Sequence, residues 1–121
     1  MMDDTIAAIA TPPGEGGISI VRISGPEAFA IADRVVCCPG NHLSQRAENT
    51  LVVGQVVEGA QVIDEVVVLL FRAPHSYTAE DVIEIQGHGG NQCARRILRL
   101  VLDAGARLAE PGEFTRRAFL H

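Results

Sequence analysis

His75-Ser76-Tyr77-Thr78-Ala79-Glu80-Asp81-Val82-Ile83-Glu84-Ile85-Gln86-Gly87-His88-Gly89-Gly90 holds a polar loop, a strand and a glycine hinge in one run. From Val82 to Gln86 the period is two. Ile83 and Ile85 share one face; Val82, Glu84 and Gln86 share the other. Gly87 to Gly90 releases the chain into a helix expected from about Asn91 to Ala104. There Ala94, Ile97, Leu98, Val101 and Leu102 form the inward stripe, while Arg95, Arg96, Arg99 and Asp103 face water. Gly105 is a fitting terminator. A strand with a carboxylate on its less apolar face, followed at once by an amphipathic helix, sets the pattern for the chain.

Upstream, Leu51 to Val57 and Val62 to Phe71 read as strands joined by a turn at Glu58-Gly59-Ala60. Thr5 to Ala10 reads as a first strand, and Ile18 to Ser24 as a second, apolar on both faces and so central in a sheet. Between them lies the loop Thr11-Pro12-Pro13-Gly14-Glu15-Gly16-Gly17. Ser24-Gly25-Pro26-Glu27 signals a helix start, with a capping residue, then proline and an acid. Ala28, Phe29, Ile31, Ala32, Val35 and Val36 make its apolar stripe, and Pro39-Gly40-Asn41 ends it. Leu43 to Asn49 is expected as a surface loop, and Arg107 to Ala109 as a short strand. After Pro111-Gly112 a last helix starts at Glu113, with Phe114, Ala118 and Phe119 on one side. It runs about two turns without a terminator, which implies a chain cut from something longer. The expected class is α+β: a mixed β-sheet with two main helices packed on it, in a single domain over residues 1–121.

At 121 residues and 47% hydrophobic, the chain suits one domain with a real core. Its longest apolar run, Val66 to Phe71, is far too short for a bilayer span. The opening Met-Met-Asp-Asp does not resemble a secretory signal, so a cytoplasmic location is expected. Cys37, Cys38 and Cys93 are odd in number, which suits free thiols in a reducing compartment. The net charge is −5 and all ten basic side chains are arginine. That balance disfavours a stand-alone nucleic-acid binder. The absence of lysine excludes a Schiff base or a P-loop lysine in this stretch.

Gly14-Glu15-Gly16-Gly17 is followed by a strand, where a phosphate loop needs a helix. Arg22 shares a strand face with Ile18, Ile20 and Ser24, so it must snorkel, pair or bind an anion. Glu84 is either a solvated outer-face residue or a carboxylate able to grip a planar N–H/NH₂ edge of a heterocycle. Glu80 and Asp81 are expected at the surface. His88 lacks a second ligand at metal-like spacing, and Cys37, Cys38 and His42 are too irregular to help. A Cys93–His88 pair stays open as a nucleophile and base, against the simpler reading of Cys93 as a small helix residue. No Gly-x-Ser-x-Gly elbow occurs. No metal site and no catalytic residue is assigned.

Several ordered motifs together resemble the amino-terminal domain of the bacterial tRNA-modification GTPase family MnmE, also called TrmE. They are Asp4-Thr5-Ile6-Ala7-Ala8-Ile9-Ala10-Thr11-Pro12-Pro13-Gly14 and Gly16-Gly17-Ile18-Ser19-Ile20-Val21-Arg22-Ile23-Ser24-Gly25. Further on come Ser76 to Glu84 with His88-Gly89-Gly90, then Pro111-Gly112-Glu113-Phe114-Thr115 with Arg117-Ala118-Phe119-Leu120. Ala79 stands where glycine is usual, and His121 where asparagine is usual. The stretch from Cys37 to Val57 carries little of the likeness.

The resemblance implies a fold similar to folate-binding modules of the glycine-cleavage T-protein type. It also implies a homodimer and a bound reduced folate, 5-formyl-tetrahydrofolate or a related one-carbon form, contacted by residues matching Arg22 and Glu84. The family's site adds a lysine just past the position of His121. The parent protein would carry GTP, magnesium and potassium in a separate G domain. It would work with an FAD-dependent MnmG (GidA) partner on the wobble uridine of tRNA. These 121 residues, without a Gly-Lys-Ser/Thr loop, are not expected to hydrolyse GTP. Two rivals remain: a dimerisation module with a vestigial pocket, and a folate enzyme complete in itself.

Overall fold

The computed structural model describes residues 4–10, 17–40, 42–47 and 49–121. The expected proline–glycine loop, Gly17 apart, lies outside the described residues, as does Asn41 of the expected helix stop. The strands are β1 (Ile6–Ile9), β2 (Ser19–Ser24), β3 (Val36–Cys37), β4 (Thr50–Glu58), β5 (Gln61–Phe71), β6 (Val82–Gly87) and β7 (Arg107–Leu108). The helices are α1 (Ala28–Val35), α2 (Gly90–Asp103) and α3 (Glu113–Leu120). One seven-stranded sheet runs β3-β4-β5-β6-β2-β1-β7, antiparallel throughout except for the parallel pair β1/β7. The α+β class with a mixed sheet is therefore as expected.

Register explains which face is buried. Val52, Val68, Ile85, Val21 and Ile9 are successive cross-strand partners, and so are Leu70, Ile83, Ile23 and Ala7. Directly opposed residues share a face, so these rows form the floor of the core. The stripes of α1 (Phe29, Ile31, Val35) and α2 (Ala94, Ile97, Val101) cover it. The alternate row, Leu51, Leu69, Glu84, Arg22 and Ala8, lies on the opposite face. That face is open: Leu51, Val53 and Ile18 are 59%, 64% and 58% exposed.

Several local expectations are corrected. Ser24 does not cap α1. Its hydroxyl meets Thr78 Oγ1 at 2.6 Å and donates to Glu80 Oε1 at 2.8 Å. The Thr5 hydroxyl instead accepts the Glu27 N–H at 2.8 Å. Val36 leaves the helix and pairs with Val56 in β3, the extended state a β-branched residue favours. Leu43, placed at the surface by its polar neighbours, is fully buried under a 3₁₀ turn. Gly105 does end α2, at φ +127°.

Candidate functional site

Arg22 on β2 and Glu84 on β6 are direct cross-strand partners at the centre of the open face. The Arg22 Nε and Nη2 both donate to Glu84 Oε2 at 2.9 Å. Among the described residues, Glu84 Oε1 accepts no hydrogen bond. Of the alternatives for Arg22, pairing is the one observed. The Arg22 guanidinium also lies 5.7 Å from the Tyr77 ring centroid and 5.5 Å from that of Phe114, within cation–π range of both.

This side chain forms part of the wall of a cavity of about 620 Å³, lined also by Ala8, Ala10, Tyr77, Pro111, Phe114 and Thr115. That is a volume suited to a small-molecule ligand. Glu84 does not itself line the cavity; it stands behind Arg22. One wall comes from the loop 72–81, another from α3, and the Tyr77 hydroxyl meets Thr115 Oγ1 at 3.1 Å between them.

Beside the cavity lies a charge cluster that sequence reasoning missed. Arg117 is 1% exposed. It contacts Asp4 at 2.6 Å, Glu80 at 3.1 Å and Glu113 at 3.3 Å. Arg107 joins through Asp4 and Glu113, both at 2.6 Å. Glu80 is thus not at the surface as expected. Asp81 is half-buried and accepts the Ala73 N–H at 2.8 Å. The hydrogen bonds from Arg107 hold the Glu113 carboxyl down to about 2, against the opposing effect of burial. Asp4 is likewise held well below the usual carboxylate range, foremost by Arg107. Burial works against the charge on Arg117, yet hydrogen bonds to Glu80 and Asp4 outweigh it and raise its pKa. The sequence brings only part of the cluster together: Arg107, Glu113 and Arg117 fall within eleven residues, while Asp4 and Glu80 are remote from them.

The remaining candidates do not converge on chemistry. His88 is exposed, with Nδ1 3.9 Å from Asp64. Cys93 Sγ reaches the Ile63 carbonyl at 3.6 Å. The backbone N–H groups of His88 and Gly89 donate to Asp64 Oδ2 at 3.1 and 3.0 Å. A Cβ at Gly87 would meet that carboxylate, which would have to shift to admit a side chain. No group of three metal-ligating side chains occurs among the described residues. No described helix is long and apolar enough to cross a membrane.

The family model described as "GTP-binding protein TrmE N-terminus" matches residues 5–121. The chain belongs to the TrmE amino-terminal family. It is 57% identical to the tRNA modification GTPase MnmE of Moorella thermoacetica, over all of this chain and 27% of that protein. It is 55% identical to the protein of that name from Listeria innocua, over 98% of the chain and 26% of that protein. It is 56% identical to the one from Symbiobacterium thermophilum, over all of the chain and 27% of that protein. The chain therefore spans about a quarter of the length of these MnmE relatives.

Proposed function

We propose that this domain binds a reduced folate, 5-formyl-tetrahydrofolate or a related one-carbon form, and assembles as a homodimer. In this reading it supports modification of the tRNA wobble uridine in the cytoplasm, together with an FAD-dependent MnmG-type partner. The observation that carries the folate part is the Arg22–Glu84 pair beside a cavity with two aromatic walls. A pterin is a flat heterocycle with an adjacent N–H and NH₂. Glu84 Oε1 accepts from that edge, and Arg22 turns donors toward a ligand oxygen. Tyr77 and Phe114 supply apolar faces for the ring. The open apolar face around Leu51 and Val53 supports assembly through a second copy. GTP, magnesium and potassium belong to the remainder of the longer protein in this reading, as does contact with tRNA.

A second reading is favoured by one observation: Glu84 is already engaged by Arg22 and does not line the cavity. On that reading the domain is a dimerisation module with a vestigial pocket. Calorimetric titration with 5-formyl-tetrahydrofolate, beside Arg22→Ala and Glu84→Ala, separates the two. Saturable binding lost in both variants supports the folate reading. A folded wild-type dimer with no binding heat favours the module.

A further inference from the structure

Helix α3 is buried in an inverted pattern. Its buried side chains are Glu113 and Arg117, while Phe119 is 87% and Leu120 56% exposed. The sequence pattern puts Phe114, Ala118 and Phe119 on one side of it. An eight-residue helix does not hold itself in place, and apolar burial, which docks α1 and α2, does not dock this one. Charge does.

The Arg117 Nη1 donates to the Asp4 carbonyl at 2.7 Å and to the Glu80 carboxylate oxygens at 3.1 and 3.2 Å. Its Nη2 donates to Asp4 Oδ1 at 2.6 Å and Glu113 Oε2 at 3.3 Å. Its Nε is buried with no hydrogen-bond partner. Glu80 hands the connection on to Ser24, which neighbours Thr78. One guanidinium therefore joins three segments: the start of β1, the loop 72–81 and α3.

The last two of those segments carry separate walls of the cavity: Tyr77 on the loop, Phe114 and Thr115 on α3. Their direct link, Tyr77 to Thr115, is exposed to water and so is a weak constraint. A guanidinium has a planar, fixed fork of donors, so it sets distance and angle as well as attraction. We propose that Arg117 is a positioning residue of the cavity: it fixes the separation of the Tyr77 and Phe114 walls without lining the cavity itself. The effect on ligand affinity rests on the folate reading above. The effect on the walls does not.

The chain has one tyrosine and no tryptophan, so its intrinsic emission reports on Tyr77 alone. The test compares wild type, Arg117→Met and Arg117→Lys by acrylamide quenching of that emission, by amide hydrogen exchange and by titration with 5-formyl-tetrahydrofolate. In Arg117→Met, Tyr77 becomes more accessible to quencher. Residues 73–81 and 113–120 lose exchange protection together, while β2, β5 and β6 keep theirs. Affinity for the folate falls about tenfold or more, as expected when a binding geometry loosens. Arg117→Lys keeps the charge without the fork and falls between the two, and it decides the matter if the methionine variant does not fold. A folded Arg117→Met protein with wild-type quenching and exchange overturns the proposal. Wild-type protein that binds no folate defeats the folate reading alone, and quenching and exchange still decide the role of Arg117.

Discussion

Acid should undock α3, and Glu113 makes the effect measurable. In the folded protein this carboxylate accepts from Arg107 at 2.6 and 3.1 Å, from Arg117 at 3.3 Å and from the Glu110 N–H at 2.9 Å. Its pKa is about 2, against the usual 4.5. The folded value is the lower one, so its contribution is complete above about pH 4.5 and is lost as pH falls toward 2. At 1.36 kcal/mol per unit, the shift corresponds to about 3 kcal/mol. Through that window one proton is taken up on unfolding, so stability climbs with pH by up to about 1.4 kcal/mol per unit on this account. The assay is guanidinium unfolding of wild type and Glu113→Gln at several pH values between 2 and 7. The variant is expected to lose about 3 kcal/mol at neutral pH and to show a shallower slope between pH 4.5 and 2. Asp4 shares Arg107 and Arg117 with Glu113, so the difference reports on Glu113 together with its coupling to Asp4. Parallel stability curves through that window would refute the assignment of the low pKa to Glu113.

Two further outcomes are expected. Ala79 has φ +64°, in the left-handed region that disfavours a Cβ. Ala79→Gly should stabilise by about 0.5–1 kcal/mol, the relief of strain less the added freedom of the unfolded chain; a lower melting temperature contradicts this. Val53→Arg puts a charge on the open face at a site 64% exposed, so monomer stability should stay within about 0.5 kcal/mol. Sedimentation should then show loss of any dimer that forms through this face, and an unchanged dimer mass excludes the face as the interface.

The parts of the fold legible in the sequence are those governed by local period. The alternation Ile83-Glu84-Ile85 assigns β6 and its two faces, and the stripe Ala94, Ile97, Val101 assigns α2. Arg22 and Glu84 were visible as the polar residues out of keeping with their strands, and register then makes them partners. The charge cluster was not legible because its members are remote: Asp4 and Arg117 are separated by nearly the whole chain. Without Arg117 in view, Glu80 reads as a surface acid, and the pattern of α3 shows only that Phe114, Ala118 and Phe119 share a side. Ser24 misled for the same reason. Its local context is that of a helix cap, but Thr78 and Glu80, reached only through the tertiary fold, take its hydroxyl.

The two outermost strands of the sheet, β3 and β7, are only two residues each, while the long strands β4, β5 and β6 lie inside. Among the described residues, β3 pairs only with Gln55 and Val56, so most of the outer edge of the nine-residue β4 has no strand partner. That border is where a strand of another chain can add to the ladder, the route by which sheets grow sideways. The exposed Leu51 and Val53 lie on that same strand, so in the proposed dimer a second copy that covers them also shields this border.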